Sequence, residues 1–395
     1  MKKFCWAGMA LASLLFLGGC VTEQRSTVVL TGNIMVDGPN AIEHGPPRDK
    51  VLWEYRTAAA AMRHGNYALA KQYLDDALLQ LGGIYGKDKD ARKARGYFHE
   101  EARKTFIGEP YERVMAYYYR GILYWMDGEP DNARACFRSG QIEDSSSEGE
   151  QYNADYVLLD YLDGLASVKL GGDGADALAR AKKEDRHFAN PPAYDVNANV
   201  LFFVEFGPGP RKYATGQYRE ELRFGIPPSP VRSAIINVED QTARIGPYDD
   251  LGFQATTRGG RVMDHVLANK AVFKNATDVA GSVGIIGGAA TAMSSRDRTT
   301  QEVGLGLMAA GVLAKIVSGA TTPAADVRAW DNLPHYLSFA ALRLPPGQHT
   351  ATVQFLDGGG QPMANLTKTI TINVPADKHD KVVFVSDKSI TPQTL

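Results

Sequence analysis

Tyr117-Tyr118-Tyr119-Arg120-Gly121-Ile122-Leu123-Tyr124-Trp125-Met126-Asp127-Gly128-Glu129-Pro130-Asp131-Asn132-Ala133-Arg134-Ala135-Cys136-Phe137 is the stretch that decides the fold. Tyr117, Arg120, Gly121 and Tyr124 recur at three- and four-residue spacing, which puts them on one side of a helix. Asp127-Gly128-Glu129-Pro130 is a turn, and Ala133 and Phe137 fall on one side of a second helix. The small Gly121 and Ala133 let the two helices approach, while Tyr124 and Phe137 fill the space between them.

The spacing is similar to the tetratricopeptide pattern, with Tyr117 in the place of its Trp and Arg120 in the place of its Leu. Working outward, Val51 to Leu81 is a second helix-turn-helix, broken at His64-Gly65-Asn66-Tyr67. A degenerate third unit carries Gly164, Gly171 and Ala177 to Ala181. Because the turn glycines Gly65, Gly128 and Gly171 lie 63 and 43 residues apart, and not the roughly 34 of an uninterrupted array, a plain bundle of the same hairpins stays open beside the repeat. The helical-repeat domain is expected over residues 51–190.

Composition changes after Pro191-Pro192. Asn199–Phe206, Tyr218–Ile226, Ser233–Val238 and Leu251–Thr257 read as strands, as do His335–Leu344, His349–Leu356, Leu366–Val374 and Lys381–Val385, with Gly and Pro turns between them. The expected fold class is therefore α+β: tetratricopeptide-like helical hairpins, then a β-sandwich-like domain in two parts, residues 191–260 and 321–395. Residues 261–320 interrupt it as a Gly/Ala-rich helical hairpin, with Gly281, Gly284, Gly287 and Gly288 before a polar turn and Gly304, Gly306 and Gly319 after it. Glycine costs about 1 kcal/mol per interior helix site, so this segment is expected to pack closely on itself or the sheet. Insertion into a bilayer and self-association are the alternatives.

The N-terminus has the order of a secretory signal: Lys2-Lys3, an apolar run from Phe4 to Leu17, then Gly18-Gly19-Cys20. That run of about 14 residues spans only about 21 Å, too short for a hydrocarbon core of ~30 Å. Leu17-Gly18-Gly19-Cys20 resembles the bacterial lipobox, which implies a signal peptide over 1–19, diacylation of Cys20, and a stable lipid anchor. Val21 in place of Asp favours the outer membrane in the sorting scheme this motif resembles. Residues 20–50 read as a spacer between lipid and first domain. Cys5 leaves with the signal and Cys20 is acylated, so Cys136 has no partner and no disulfide framework exists. The formal net charge of -2 and the lack of a basic block argue against nucleic acid as a partner.

Lys104-Thr105-Phe106-Ile107-Gly108-Glu109-Pro110-Tyr111-Glu112-Arg113 with the helical unit after it, the Phe202 to Pro227 region around Gly207-Pro208-Gly209-Pro210-Arg211-Lys212, and Asp326-Val327-Arg328-Ala329-Trp330 leading to Leu333-Pro334 resemble a family of uncharacterised bacterial lipoproteins with tetratricopeptide-like helices and a C-terminal β domain. The resemblance implies an architecture and no reaction.

A search for chemistry finds no catalytic set. The eight histidines are scattered, and none is spaced as a metal pair. Gly82 to Asp88 lacks the spacing and hydroxyl residue of a phosphate loop, and the prolines of Gly207-Pro208-Gly209-Pro210 remove the N–H donors such a loop uses. No cofactor and no metal are expected. Cys136, beside Phe137, reads as core. The first expectation is a non-enzymatic envelope scaffold whose hairpins present a concave groove to a periplasmic protein. Tyr117, Tyr118, Tyr119, Arg120 and Arg134 are its candidate partner-binding residues, at least half of them expected in the core. A self-associating membrane-active or assembly component is the alternative, and a hydrolase of wall polymer or polysaccharide the second.

Overall fold

Val200 to Phe206 carries a single polar residue, Glu205, and a strand of that composition demands cover on both faces. The computed structural model, which describes residues 28–85, 105–145, 154–257, 325–377, 379–390 and 393–394, supplies it. Strand β1 (Val200–Pro208) lies in a four-stranded sheet, parallel to β10 (Lys381–Ser386) on one side and antiparallel to β7 (Pro334–Leu342) on the other. The two-residue β6 (Asp249–Asp250) ends this sheet beyond β7.

A five-stranded sheet lies over one face, in the order β11 (Gln393–Thr394), β9 (Lys368–Val374), β8 (Gly347–Leu356), β4 (Ser233–Val238) and β5 (Gln241–Ile245). Phe202, Val204, Phe206, Val383 and Val385 meet Ile236, Val353, Phe355, Ile370 and Ile372 between the sheets. The alternate residues Leu201 and Phe203, with Phe339 and Phe384, point the other way and share a core with the helices. The protein is α+β, with helices, central sheet and outer sheet forming three layers.

The helical layer begins with α1 (Ile34–His44) and continues as hairpins α2 (Lys50–Arg63) with α3 (Tyr67–Tyr85), α4 (Pro110–Met126) with α5 (Pro130–Asp144), and α6 (Val157–Lys169) with α7 (Ala175–Glu184). The turns use Gly65, Gly128 and Gly171, at φ of +71°, +79° and +81°. Those are left-handed values that favour glycine after a helix. A Cβ on Gly121 would stand 2.5 Å from Phe137 Cε1, so the expected close approach within α4 and α5 is present. The first helix of each hairpin faces the sheet: α2 and α4 contact β10, and α6 contacts β7.

Several elements differ from expectation, and Arg211–Thr215 and Gln241–Ile245 are strands outside every expected run. Residues 20–50 contain α1, capped by Asn33 and carrying Pro39 inside it. Gly38-Pro39 reads as linker punctuation, yet a Cβ on Gly38 would stand 1.9 Å from Thr57 Oγ1, so the glycine is where α1 presses on α2. Leu251–Thr257 is a short helix, α8, and not a strand. Its apolar run is short enough to fit either element, and Asp250 settles it by accepting the Phe253 N–H at 3.0 Å. Cys20 and the Gly/Ala-rich segment 261–320 lie outside the described residues.

Candidate functional site

Three stretches far apart in sequence, 105–113, 202–227 and 326–334, meet at one buried node. Glu109-Pro110 opens α4 with proline in its first turn, and Glu109 and Glu112 form a reciprocal capping box. The Glu112 carboxylate then does three things. Its Oε2 accepts the Glu109 N–H at 2.6 Å and Lys212 Nζ at 2.6 Å, and its Oε1 accepts the Trp330 N–H at 2.7 Å. Lys212 comes from β2 (Arg211–Thr215), which pairs with β3 (Glu221–Gly225) in a separate ribbon. Its ammonium also donates to the Arg328 carbonyl at 3.0 Å and lies 5.5 Å from the Phe106 ring centre. Trp330 stacks on Tyr55 of α2 at 4.4 Å, while Arg328 pairs with Asp49 at 2.6 Å and Asp326 at 2.5 Å.

Helix start, ribbon and the arm before β7 are thus fastened through buried charges. Glu112 and the Lys212 side chain are nearly free of solvent contact, and Glu109 lies 3.8 Å from the same ammonium, so loss of Lys212 would leave buried carboxylate charge without its cation. The approach of Gly207 to Lys212 to the arm before β7 is tight, since a Cβ on Gly209 would stand 2.7 Å from the Leu333 carbonyl oxygen. The burial of Lys212 carried no signal in local pattern, because its partner lies 100 residues away.

The five candidate partner-binding residues are not gathered on one surface. Tyr118 and Tyr119 are buried against the sheet, their ring centres 6.3 Å from Phe203 and 6.0 Å from Phe384 respectively. Burial and the nearby Glu205 carboxylate hold both phenols well above the usual tyrosine range. Arg120 is buried on Asp75 of α3 at 2.5 Å, with its guanidinium 3.5 Å from the Tyr124 ring centre. These three are corrected from partner contacts to core. The chain's own sheet occupies the inner face of the hairpins, so that face offers no open groove at Tyr118 and Tyr119. Tyr117 is half-buried, and Arg134 is engaged with Asp163 of α6 at 2.7 Å.

A second node ties helices to β1. Arg63 Nε donates to Glu205 Oε1 at 2.7 Å, Tyr119 Oη donates to Glu205 Oε2 at 2.5 Å, and Arg63 NH1 donates to the Asn332 carbonyl at 2.7 Å. Nearby, Asp249 accepts the Val157 and Leu158 N–H groups at 2.8 and 3.0 Å and so caps α6. Burial pushes its carboxyl up to about 8, against the pull of those two donors. Burial likewise pushes the Cys136 thiol up to about 11, which leaves it a packing residue at neutral pH. Among the described residues no three His, Cys, Asp or Glu side chains are placed to hold a metal ion.

Outside the first node lies a cleft of about 360 Å³ lined by Trp53, Arg56, Arg211, Val327 and Asp331, among others. Arg56 lies 5.1 Å from the Trp53 ring centre, and Asp331 stands 2.9 Å from Arg56 Nε and 3.5 Å from Arg211 NH1. Arg211 and Asp331 are partly exposed, so the cleft can exchange polar contacts with a partner.

No protein-family model, no curated protein and no solved structure matches this chain.

Proposed function

We propose that the chain is a lipid-anchored, non-enzymatic adaptor of the bacterial envelope, held through Cys20 at the periplasmic face of the outer membrane and engaging another envelope protein. The observation that supports this reading is the convergence of the three stretches on the Glu112–Lys212 node beside the Trp53–Arg211 cleft. Buried ionisable groups there fasten layers together, which gives a rigid body suited to holding a contact surface in place. With the inner helical face covered by the sheet, the partner belongs on an outward surface, and the cleft is one.

The test combines palmitate labelling, membrane fractionation and photocrosslinking in cells. Wild-type protein should carry the label, fractionate with the outer membrane, and crosslink to a discrete envelope protein from position 211 but not from position 119. Cys20→Ala should lose label and membrane location, because no thiol remains to acylate. Normal outer-membrane recovery of that variant would sink the anchor, and turnover of wall polymer by the purified body would replace the adaptor with a hydrolase.

A further inference from the structure

The cleft beside the Glu112–Lys212 node carries positive charge that its own carboxylates leave uncovered. Asp49, Trp53 and Arg56 form one wall, and their four- and three-residue spacing puts them on a single face at the start of α2. Arg211 and Lys212 of β2 form a second wall, and Val327, Arg328 and Asp331 of the arm before β7 a third. Two of the four cations are fully engaged: Lys212 by Glu112 at 2.6 Å, and Arg328 by Asp49 and Asp326 at 2.6 and 2.5 Å. Arg56 and Arg211 are left to share Asp331, which stands 2.9 Å from Arg56 Nε and 3.5 Å from the Arg211 guanidinium. One carboxylate between two guanidinium groups leaves a net positive charge.

The two arginines also keep unused donors. The Arg56 guanidinium donates to the Ala329 carbonyl at 2.9 Å, but among the described residues its Nε–H has no hydrogen-bond partner, because Asp331 lies off the line of that N–H. Arg211 is 53% exposed and only ion-paired, at the longer distance. The position of Asp331 does not depend on this pairing. Its neighbour Asn332 donates to the Arg56 carbonyl at 2.8 Å and accepts from Arg63 at 2.7 Å, so the arm is held by backbone contacts while the Asp331 carboxylate stays 40% exposed. Beside these charges the Trp53 ring lies 5.1 Å from the Arg56 guanidinium, and Val327 is exposed.

We infer that the cleft takes a carboxylate side chain of a partner polypeptide with an apolar side chain beside it, and that Asp331 stands in for that carboxylate in the free protein. Guanidinium groups recognise carboxylates through directed N–H donors, which Arg211 and the unused Arg56 N–H supply. Trp53 and Val327 supply the apolar contact. A cleft of about 360 Å³ has room for a few side chains and none for a folded element. The inference rests on the adaptor reading and names the chemistry by which the partner is held.

The experiment pans a phage-displayed library of random dodecapeptides on the mature protein without its lipid. The affinity of each retained peptide is then measured for the wild type, Arg211→Glu and Asp331→Asn. Retained peptides are expected to carry Asp or Glu next to an apolar residue. They should lose about tenfold in affinity when that acid is replaced by its amide, or when Arg211 is reversed to Glu. Arg211→Gln, which removes the charge without reversing it, covers the case of Arg211→Glu misfolding. Asp331→Asn should tighten the same peptides by about threefold, because it removes the internal competitor, and the gain should shrink in high salt. A residue that only kept the cleft in shape would weaken binding when replaced, so the opposite signs of the two variants separate recognition from structure. Peptides that bind equally well with the acid replaced by its amide, that ignore the Arg211 variants, or that weaken on Asp331→Asn overturn the inference, as does a library that yields no binder. Such a failure beside a discrete crosslink in cells from position 327, which keeps Arg211 in place, leaves the adaptor standing with a different contact chemistry. Peptide capture by a protein that never reaches the membrane overturns the adaptor reading alone.

Discussion

The central and outer sheets are built from the same residue types but solve different problems. In the central sheet Val200 to Phe206 is buried at every position, because helices cover one face and the outer sheet the other. In the outer sheet β4 and β9 alternate, with Ala234, Ile236 and Val238 or Ile370, Ile372 and Val374 turned inward and more exposed side chains between them. Continuous apolar strands thus report two neighbours and alternating strands one. The same difference explains why the hairpins present no open groove at Tyr118 and Tyr119: the uninterrupted strand is the occupant of their inner face.

The comparison breaks most readily at Glu205, the one charge in the uninterrupted run of β1. Glu205→Gln would leave buried Arg63 without its ion-pair partner, a change that costs about 3–5 kcal/mol. Chemical denaturation should show it as a large drop in the midpoint, nearly independent of salt because the pair is shielded from solvent. Thr350→Ala on the exposed face of β8 should stay within about 0.5 kcal/mol. Equal effects at the two positions would mean that the helical layer does not seal the central sheet.

A smaller effect tests the helical side of the same layer. Gly121 faces Phe137, whose ring is fully buried and packs on Trp125 at 6.2 Å, so it has little room to retreat. Gly121→Leu should destabilise by about 1–3 kcal/mol through overpacking, even though leucine is the better helix former by up to about 1 kcal/mol. An unchanged melting transition would refute the close approach of α4 and α5.

Most strand positions were legible because composition and turns mark them locally: Ser233–Val238 matches its expected bounds, and β7 to β10 lie within a few residues of theirs, whereas the more polar β2 and β5 fell outside every expected run. The hairpins were legible for the same reason, through Gly65, Gly128 and Gly171. The partners of buried charges were not. Glu205 finds Arg63 across 142 residues and Glu112 finds Lys212 across 100, distances at which pattern carries no information. Asp249-Asp250 shows the limit from the other side. Adjacent carboxylates look like chance, yet one caps α6 and the other α8. The cap of α8 was readable from an Asp ahead of a short apolar run, whereas the cap of α6, supplied across 92 residues, was not. Of the five candidate partner-binding residues, at least half of them expected in the core, Tyr118 and Tyr119 sit on the helix side that the sheet covers.

The smallest effect belongs to the outer sheet, at a charge pair on its rim. His349 of β8 places Nδ1 at 2.6 Å from Glu239 Oε1 and Nε2 at 2.8 Å from the Pro345 carbonyl oxygen. Burial lowers the pKa of this imidazole, but the Pro345 hydrogen bond and the Glu239 carboxylate outweigh that effect and raise it above its usual value. A group whose pKa is raised by folding stabilises the fold fully below its unfolded value, about 6.5 for histidine. That contribution is lost as pH rises through the raised value. Glu239 is 54% exposed, which limits the pair to about 0.2–1 kcal/mol. Glu239→Gln should therefore lower stability by that amount at pH 5, do so less in high salt, and have no effect at pH 9, where the imidazole is neutral in both proteins. Glu205→Gln, by contrast, should remain costly at both pH values and in both salts, since arginine stays charged throughout. A Glu239→Gln penalty of the same size at pH 5 and pH 9 would show that hydrogen-bond geometry, and not imidazolium charge, holds the β4 to β5 turn against the outer sheet.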